Sequence, residues 1–150
     1  MGTTVMVLNG PNLNMLGIRE PGIYGSETLA DIEVICKQRG EKLGLGIDFR
    51  QSNMEGDLVA WIQEAGRESD AIVLNAAAYT HTSIALMDAL LSVGLPAIEV
   101  HLSNVFRRED FRHQSYISKA SIGVICGFGS HGYALALEAL ALKLNSTQEV

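Results

Sequence analysis

Five short apolar runs, separated by stretches of helical periodicity, constrain this chain more than any other feature of it. They lie at residues 5–8 (VMVL), 45–49 (LGIDF), 71–74 (AIVL), 97–100 (AIEV) and 122–126 (IGVIC). The second alternates in polarity. The rest are brief, β-branched and mostly continuous, the pattern of strands covered on both faces of a parallel sheet. A helix is expected over 28–43, opened by the capping-box pattern Thr28-x-x-Asp31, with Leu29, Ile32, Ile35 and Cys36 at helical spacing. Further helices are expected over 56–67, over 83–93 with Gly94 and Pro96 beyond the end, and over 132–145. Strand and helix in alternation predict an α/β fold, an open parallel sheet with helices on both faces. There is no internal repeat, linker or low-complexity segment. Residues 1–150 read as a single domain, a length that supports one core without disulfide or metal.

Charge and targeting signals narrow the partners. A formal net charge of −6 makes nucleic acid a poor partner, while a local arginine pocket still allows an anionic small substrate. The opening MGTTVMVLNGPNLN has neither the basic nor the long apolar region of a secretory signal. No apolar run reaches the ~18–20 residues of a membrane span. Cys36 and Cys126 sit far apart in apolar stretches and read as free thiols in a reducing compartment. A cytoplasmic protein is expected.

In open α/β sheets the ligand lies beyond the carboxyl ends of the strands. Two connections there, 10–26 and 103–118, are longer than the usual 2–6 residues. The first strand is followed by Asn12, Arg19 and Tyr24. The third leads to Asn75 and His81. The fourth carries Glu99, His101, Leu102 and Ser103, followed by Arg107, Arg108 and Arg112. Polar groups thus converge on one edge of the sheet, as at a binding site. Glu99 and His101 share a strand face, where the carboxylate can fix the imidazole tautomer and ready the ring to donate a proton. Asn12 and Asn75 are placed to hold a water or an oxyanion, although turn chemistry explains each of them better when taken alone. A tyrosine with a pKa near ~10 serves as a base only if a cation lowers that value, and Arg19 is such a cation five residues from Tyr24. Arg112 can clamp a carboxylate, or belong to a solvated mixed-charge turn.

Other patterns point to no chemistry. Gly127-Phe128-Gly129-Ser130-His131-Gly132 matches a dinucleotide fingerprint literally, but no strand and acidic residue follow, so tight strand-to-helix packing explains it better. The histidines show no metal-ligand spacing, so no metal is expected. The nucleophile elbow G-x-S-x-G is missing. Lys37, Lys42, Lys119 and Lys143 all fall away from the carboxyl-end edge, which argues against a Schiff base.

Four long segments, VLNGPNLNMLGIREPGIYG, LNAAAYTHTSIALMDAL, IEVHLSNVFRREDFRHQSYIS and GVICGFGSHGYALALEAL, resemble the type II 3-dehydroquinate dehydratases in order and across essentially the whole chain. The resemblance implies a flavodoxin-like, five-stranded sheet of order 2-1-3-4-5 and an enzyme without cofactor or metal. It also implies a homododecamer, a tetramer of trimers. By that resemblance Tyr24 is the base, Arg19 the cation beside it, and Asn12 the holder of an enolate-stabilising water. His101 is the acid, oriented by Glu99. Asn75, His81, Leu102, Ser103 and Arg112 match substrate-binding positions, and Asp88 matches a residue that enters the site from a neighbouring subunit. The alternatives from other classes are a flavodoxin-like nucleotide or small-molecule binding module, a non-catalytic oligomer on the same fold, and a different lyase or isomerase with the same acid–base set.

Overall fold

A computed structural model of the chain describes residues 2–18, 22 and 25–148. The strands are β1 (Thr3–Asn9), β2 (Leu45–Gln51), β3 (Ala71–Asn75), β4 (Ala97–His101) and β5 (Gly123–Cys126). The helices longer than two turns are α1 (Leu29–Leu43), α2 (Glu55–Glu68), α3 (Ile84–Val93) and α4 (His131–Gln148). All strands pair in parallel, in the order β2-β1-β3-β4-β5. This is the flavodoxin-like order expected from the resemblance.

Side chains on a strand alternate between faces, and the two cores follow that alternation. Val5 and Val7 of β1 join Val73, Val100, Ile32, Cys36, Leu137 and Leu140, so α1 and α4 cover one face. Met6 and Leu8 join Ile72, Leu74, Leu58, Ile62, Leu86 and Leu90, so α2 and α3 cover the other. β1, β3 and β4 are central, which is why their sequences are apolar in nearly every register. β2 and β5 are the edges. Continuous burial was the expectation for the fifth strand, yet Val124 is 44% exposed and Gly123 is open too. A strand at the rim has a neighbour on one side only, so its apolar composition does not translate into burial within this chain.

The local signals act as expected at the helix ends. The Thr28 side chain accepts from the Asp31 N–H at 3.2 Å, and Asp31 Oδ2 accepts from the Thr28 N–H at 2.9 Å. α3 is capped by the Ser83 hydroxyl and stops at Gly94, whose φ of 68° is the left-handed conformation glycine adopts cheaply. α4 runs three residues beyond the expected end. No helix of the described residues is long and apolar enough to cross a membrane.

Candidate active site

β1, β3 and β4 end side by side, and a cavity of about 280 Å³ opens beyond their carboxyl ends. Its walls include Asn12, Asn75, His81, His101, Leu102, Ser103 and Arg112 from the expected set. The loops that bring them together are tied at close quarters. The Gly10 N–H donates to the Asn75 carbonyl at 2.8 Å, and a Cβ on Gly10 would lie 2.4 Å from the Ala76 carbonyl oxygen. Only glycine lets the turn after β1 pass this close to the turn after β3.

Asn12 has a φ of 69°, a left-handed conformation that asparagine tolerates better than most residues. Its N–H donates to Asn53 Oδ1 at 2.9 Å. Asn53 also takes a hydrogen bond from Gln51 Nε2, and its carbonyl accepts the Tyr79 hydroxyl. The loop after β2 therefore braces both the Asn12 turn and the turn at Ala77–His81. Ala77, on the cavity wall, has a φ of 53°, a strained setting for alanine. Its N–H donates to Asn75 Oδ1 at 3.2 Å.

The charged centre is on β4. Glu99 and His101 are 1% and 5% exposed, and His101 Nε2–H donates to Glu99 Oε2 at 2.5 Å. Ser118 Oγ donates to Glu99 Oε1 at 2.5 Å, and Ser115 Oγ lies 2.9 and 3.0 Å from the two carboxylate oxygens. Burial pushes the Glu99 carboxyl up. The hydrogen bonds from His101, Ser118 and Ser115, with the His101 charge, outweigh burial and hold it below the ordinary carboxylate value. With Nε2 turned to Glu99, Nδ1 is the His101 nitrogen left for the cavity. The His81 ring stacks beside it, centroids 6.4 Å apart and planes 17° from parallel. His81 Nδ1–H donates to the Gln114 carbonyl at 2.8 Å, which fixes that ring too. Arg112 gives its Nε–H to Glu109 at 2.6 Å on the far wall.

Arg19 and Tyr24 lie outside the described residues. Among the described residues, one expected site residue is not brought to the cavity. Asp88 is exposed on α3 and is not part of the cavity wall. Conversely, sequence reasoning passed over Ser115 and Ser118. A serine is common in any loop, and only contact with a buried carboxylate marks these two. Arg108, one of the arginines noted after the fourth strand, also lines the cavity, as does Val105, which the sequence did not single out. Gly127 and Gly129, the decoy glycines, have φ of 95° and 59° and form the turn from β5 into α4.

Residues 3–141 match the family model of dehydroquinase class II. A 3-dehydroquinate dehydratase of Mesorhizobium japonicum is 64% identical over 142 residues, covering 94% of this chain and 99% of the relative. One from Rhizobium johnstonii is 61% identical over 140 residues, 93% of this chain and 97% of the relative. The crystal structure of a type II dehydroquinase from Propionibacterium acnes superposes with a TM-score of 0.90 at 44% identity, covering 95% of this chain and 98% of that one. The match in sequence over nearly the whole length, and in fold, shows that the chain belongs to the class II dehydroquinase family.

Proposed function

We propose that this enzyme, a lyase of the type II 3-dehydroquinate dehydratase family, converts 3-dehydroquinate to 3-dehydroshikimate through an enolate, with acid and base supplied by its own side chains. Tyr24, as tyrosinate beside Arg19, takes a proton from the carbon next to the ketone. The electron pair moves onto the ketone oxygen, and a water held by Asn12 stabilises that charge. The enolate then collapses, the bond to the β-hydroxyl breaks, and His101 Nδ1 hands the departing oxygen a proton, so that water leaves and a conjugated enone remains. Glu99 holds the ring by Nε2 and balances its charge. Asn75, His81, Leu102, Ser103 and Arg112 bind the substrate.

The observation that carries this reading is the buried Glu99–His101 pair, 2.5 Å apart, in which His101 lines the cavity and Glu99 behind it is clamped by two serines. A pair of charged groups on a central strand is costly to bury and makes sense as an oriented acid. No lysine lines the cavity among the described residues, and those outside the description include none, which supports a route without a Schiff base. The exposed Asp88 and the open apolar rim at β5 fit a homododecamer in which Asp88 reaches a neighbouring site. The free thiols Cys36 and Cys126 fit a cytoplasmic setting.

Ultraviolet absorbance of the purified protein with 3-dehydroquinate, with and without borohydride pretreatment, tests the reading. Growth of the enone band unaffected by borohydride is expected. Loss of activity after borohydride with substrate would overturn the lysine-free route, and no band from folded protein would favour a binding module instead.

A further inference from the structure

Apart from the Glu99–His101 pair, the interior holds a second buried polar group next to the site, the Tyr133 hydroxyl. Tyr133 enters from the first turn of α4, is fully buried, and reaches between the last residues of two adjacent strands, Asn9 of β1 and Asn75 of β3. Its O–H donates to Asn9 Oδ1 at 2.6 Å, and Asn75 Nδ2 donates to its oxygen at 3.0 Å. Asn9 is itself fully buried, and its Nδ2 donates to the Arg50 carbonyl of β2 at 3.0 Å.

Each of these directions forces the next. A carbonyl only accepts, so the Arg50 oxygen requires the amide nitrogen of Asn9 and turns Asn9 Oδ1 toward Tyr133. That oxygen also only accepts, so the Tyr133 proton is committed to it. Burial pushes the Tyr133 ionisation well above that of a free tyrosine, so the proton stays in place. The hydroxyl oxygen then has only acceptor capacity for Asn75 and takes an amide N–H. The Ala77 N–H, at the longer distance of 3.2 Å, favours the same sense by occupying Asn75 Oδ1. One Asn75 N–H remains, on a residue that is 3% exposed and lines the cavity.

We infer that Tyr133, held by Asn9, is a positioning residue: it pins the Asn75 carboxamide so that its remaining N–H is presented to the substrate. The chain Arg50 carbonyl–Asn9–Tyr133–Asn75 carries orientation from the edge strand β2 across β1 to the cavity and moves no proton. This rests on the reading above that Asn75 binds substrate. None of its members except Asn75 touches the cavity wall.

The test is a double-mutant cycle on kcat/KM for 3-dehydroquinate, with kcat and KM separated and Tm recorded for each variant. Tyr133→Phe keeps the ring and deletes the hydroxyl. It should lower kcat/KM about tenfold, the size of a lost or misaligned hydrogen bond. In an Asn75→Ala background the same change should have no further effect, because the group it positions is gone. Lost stability alone would lower Tm and leave kcat/KM per folded site unchanged. Asn9→Leu, near-isosteric, is the second variant and carries the test if Tyr133→Phe does not fold. It frees the Tyr133 proton to compete for Asn75 Oδ1, and should show the same loss and the same dependence on Asn75. A normal kcat/KM in folded Tyr133→Phe or Asn9→Leu, or a loss that persists in full in the Asn75→Ala background, overturns the positioning role while leaving the site reading intact. An unchanged kcat/KM in Asn75→Ala alone overturns both.

Discussion

The carboxylate of Glu99 and the imidazole of His101 meet at 2.5 Å inside a wall of the sheet, two residues apart on one strand and both almost without solvent. Strand geometry sets the pair, since residues i and i+2 share a face. Tertiary structure makes it useful, because Ser115 and Ser118 supply the donors that water would otherwise supply.

Glu99→Gln should therefore damage the acid and spare binding. The amide has no charge to balance a protonated ring and presents a donor that conflicts with the serine hydroxyls. A fall in kcat of about 10²–10³-fold is expected, within the usual worth of an oriented acid, with KM changed much less. Steady-state kinetics over a pH series would measure it, and a kcat equal to wild type would remove Glu99 from the mechanism.

Replacing both serines, Ser115→Ala with Ser118→Ala, should cost stability in a pH-dependent way. The folded Glu99 carboxyl titrates below its unfolded value of about 4.3. Its stabilising contribution is thus complete above that value and fades as pH falls through the lower folded pKa. Hydrogen bonds to a charged group contribute ~1.5–3 kcal/mol each. Urea unfolding should show the variant less stable than wild type at pH 7, with the gap closing below about pH 4. A gap that is the same at both pH values would mean that the serines do not stabilise the charged form.

Tyr24→Phe should nearly abolish turnover, by about 10²–10⁴-fold, the range for a lost general base, while calorimetry still detects substrate binding. Retained turnover would take Tyr24 out of the role of base.

Gly10→Ala tests the closeness of the two turns that build the cavity floor. The new Cβ would fall 2.4 Å from the Ala76 carbonyl oxygen, a backbone atom that cannot step aside. A loss of roughly 1–3 kcal/mol is expected from overpacking of this kind, read as a lower Tm, together with reduced activity because Asn12 and Asn75 flank the displaced segment. A variant as stable and active as wild type would show that the loops have room.

Much of this molecule was legible in the chain because the relevant physics is local. Thr28 and Asp31 announce a capping box three residues apart. Gly94 ends a helix at the position its conformation requires. The apolar runs at 5–8, 71–74 and 97–100 carry the signature of central strands. Glu99 and His101, two apart on such a strand, need only the pleat to share a face.

What the sequence by itself determined, then, is the alternation of strands and helices, the edge of the sheet where polar residues gather, and the Glu99–His101 pair. The resemblance of its long motifs also determined the strand order and the family. Tertiary structure alone decided which polar groups touch across long separations. It set Ser115 and Ser118 on Glu99, Asn53 under Asn12, and Tyr133 between Asn9 and Asn75, 124 and 58 residues away. It also decided that β5 is an open rim, although its composition matches that of a buried strand. The reason is common to all of these. A hydrogen bond between distant residues, or a rim without a neighbour, depends on where the chain returns in space, and no spacing along the chain encodes that.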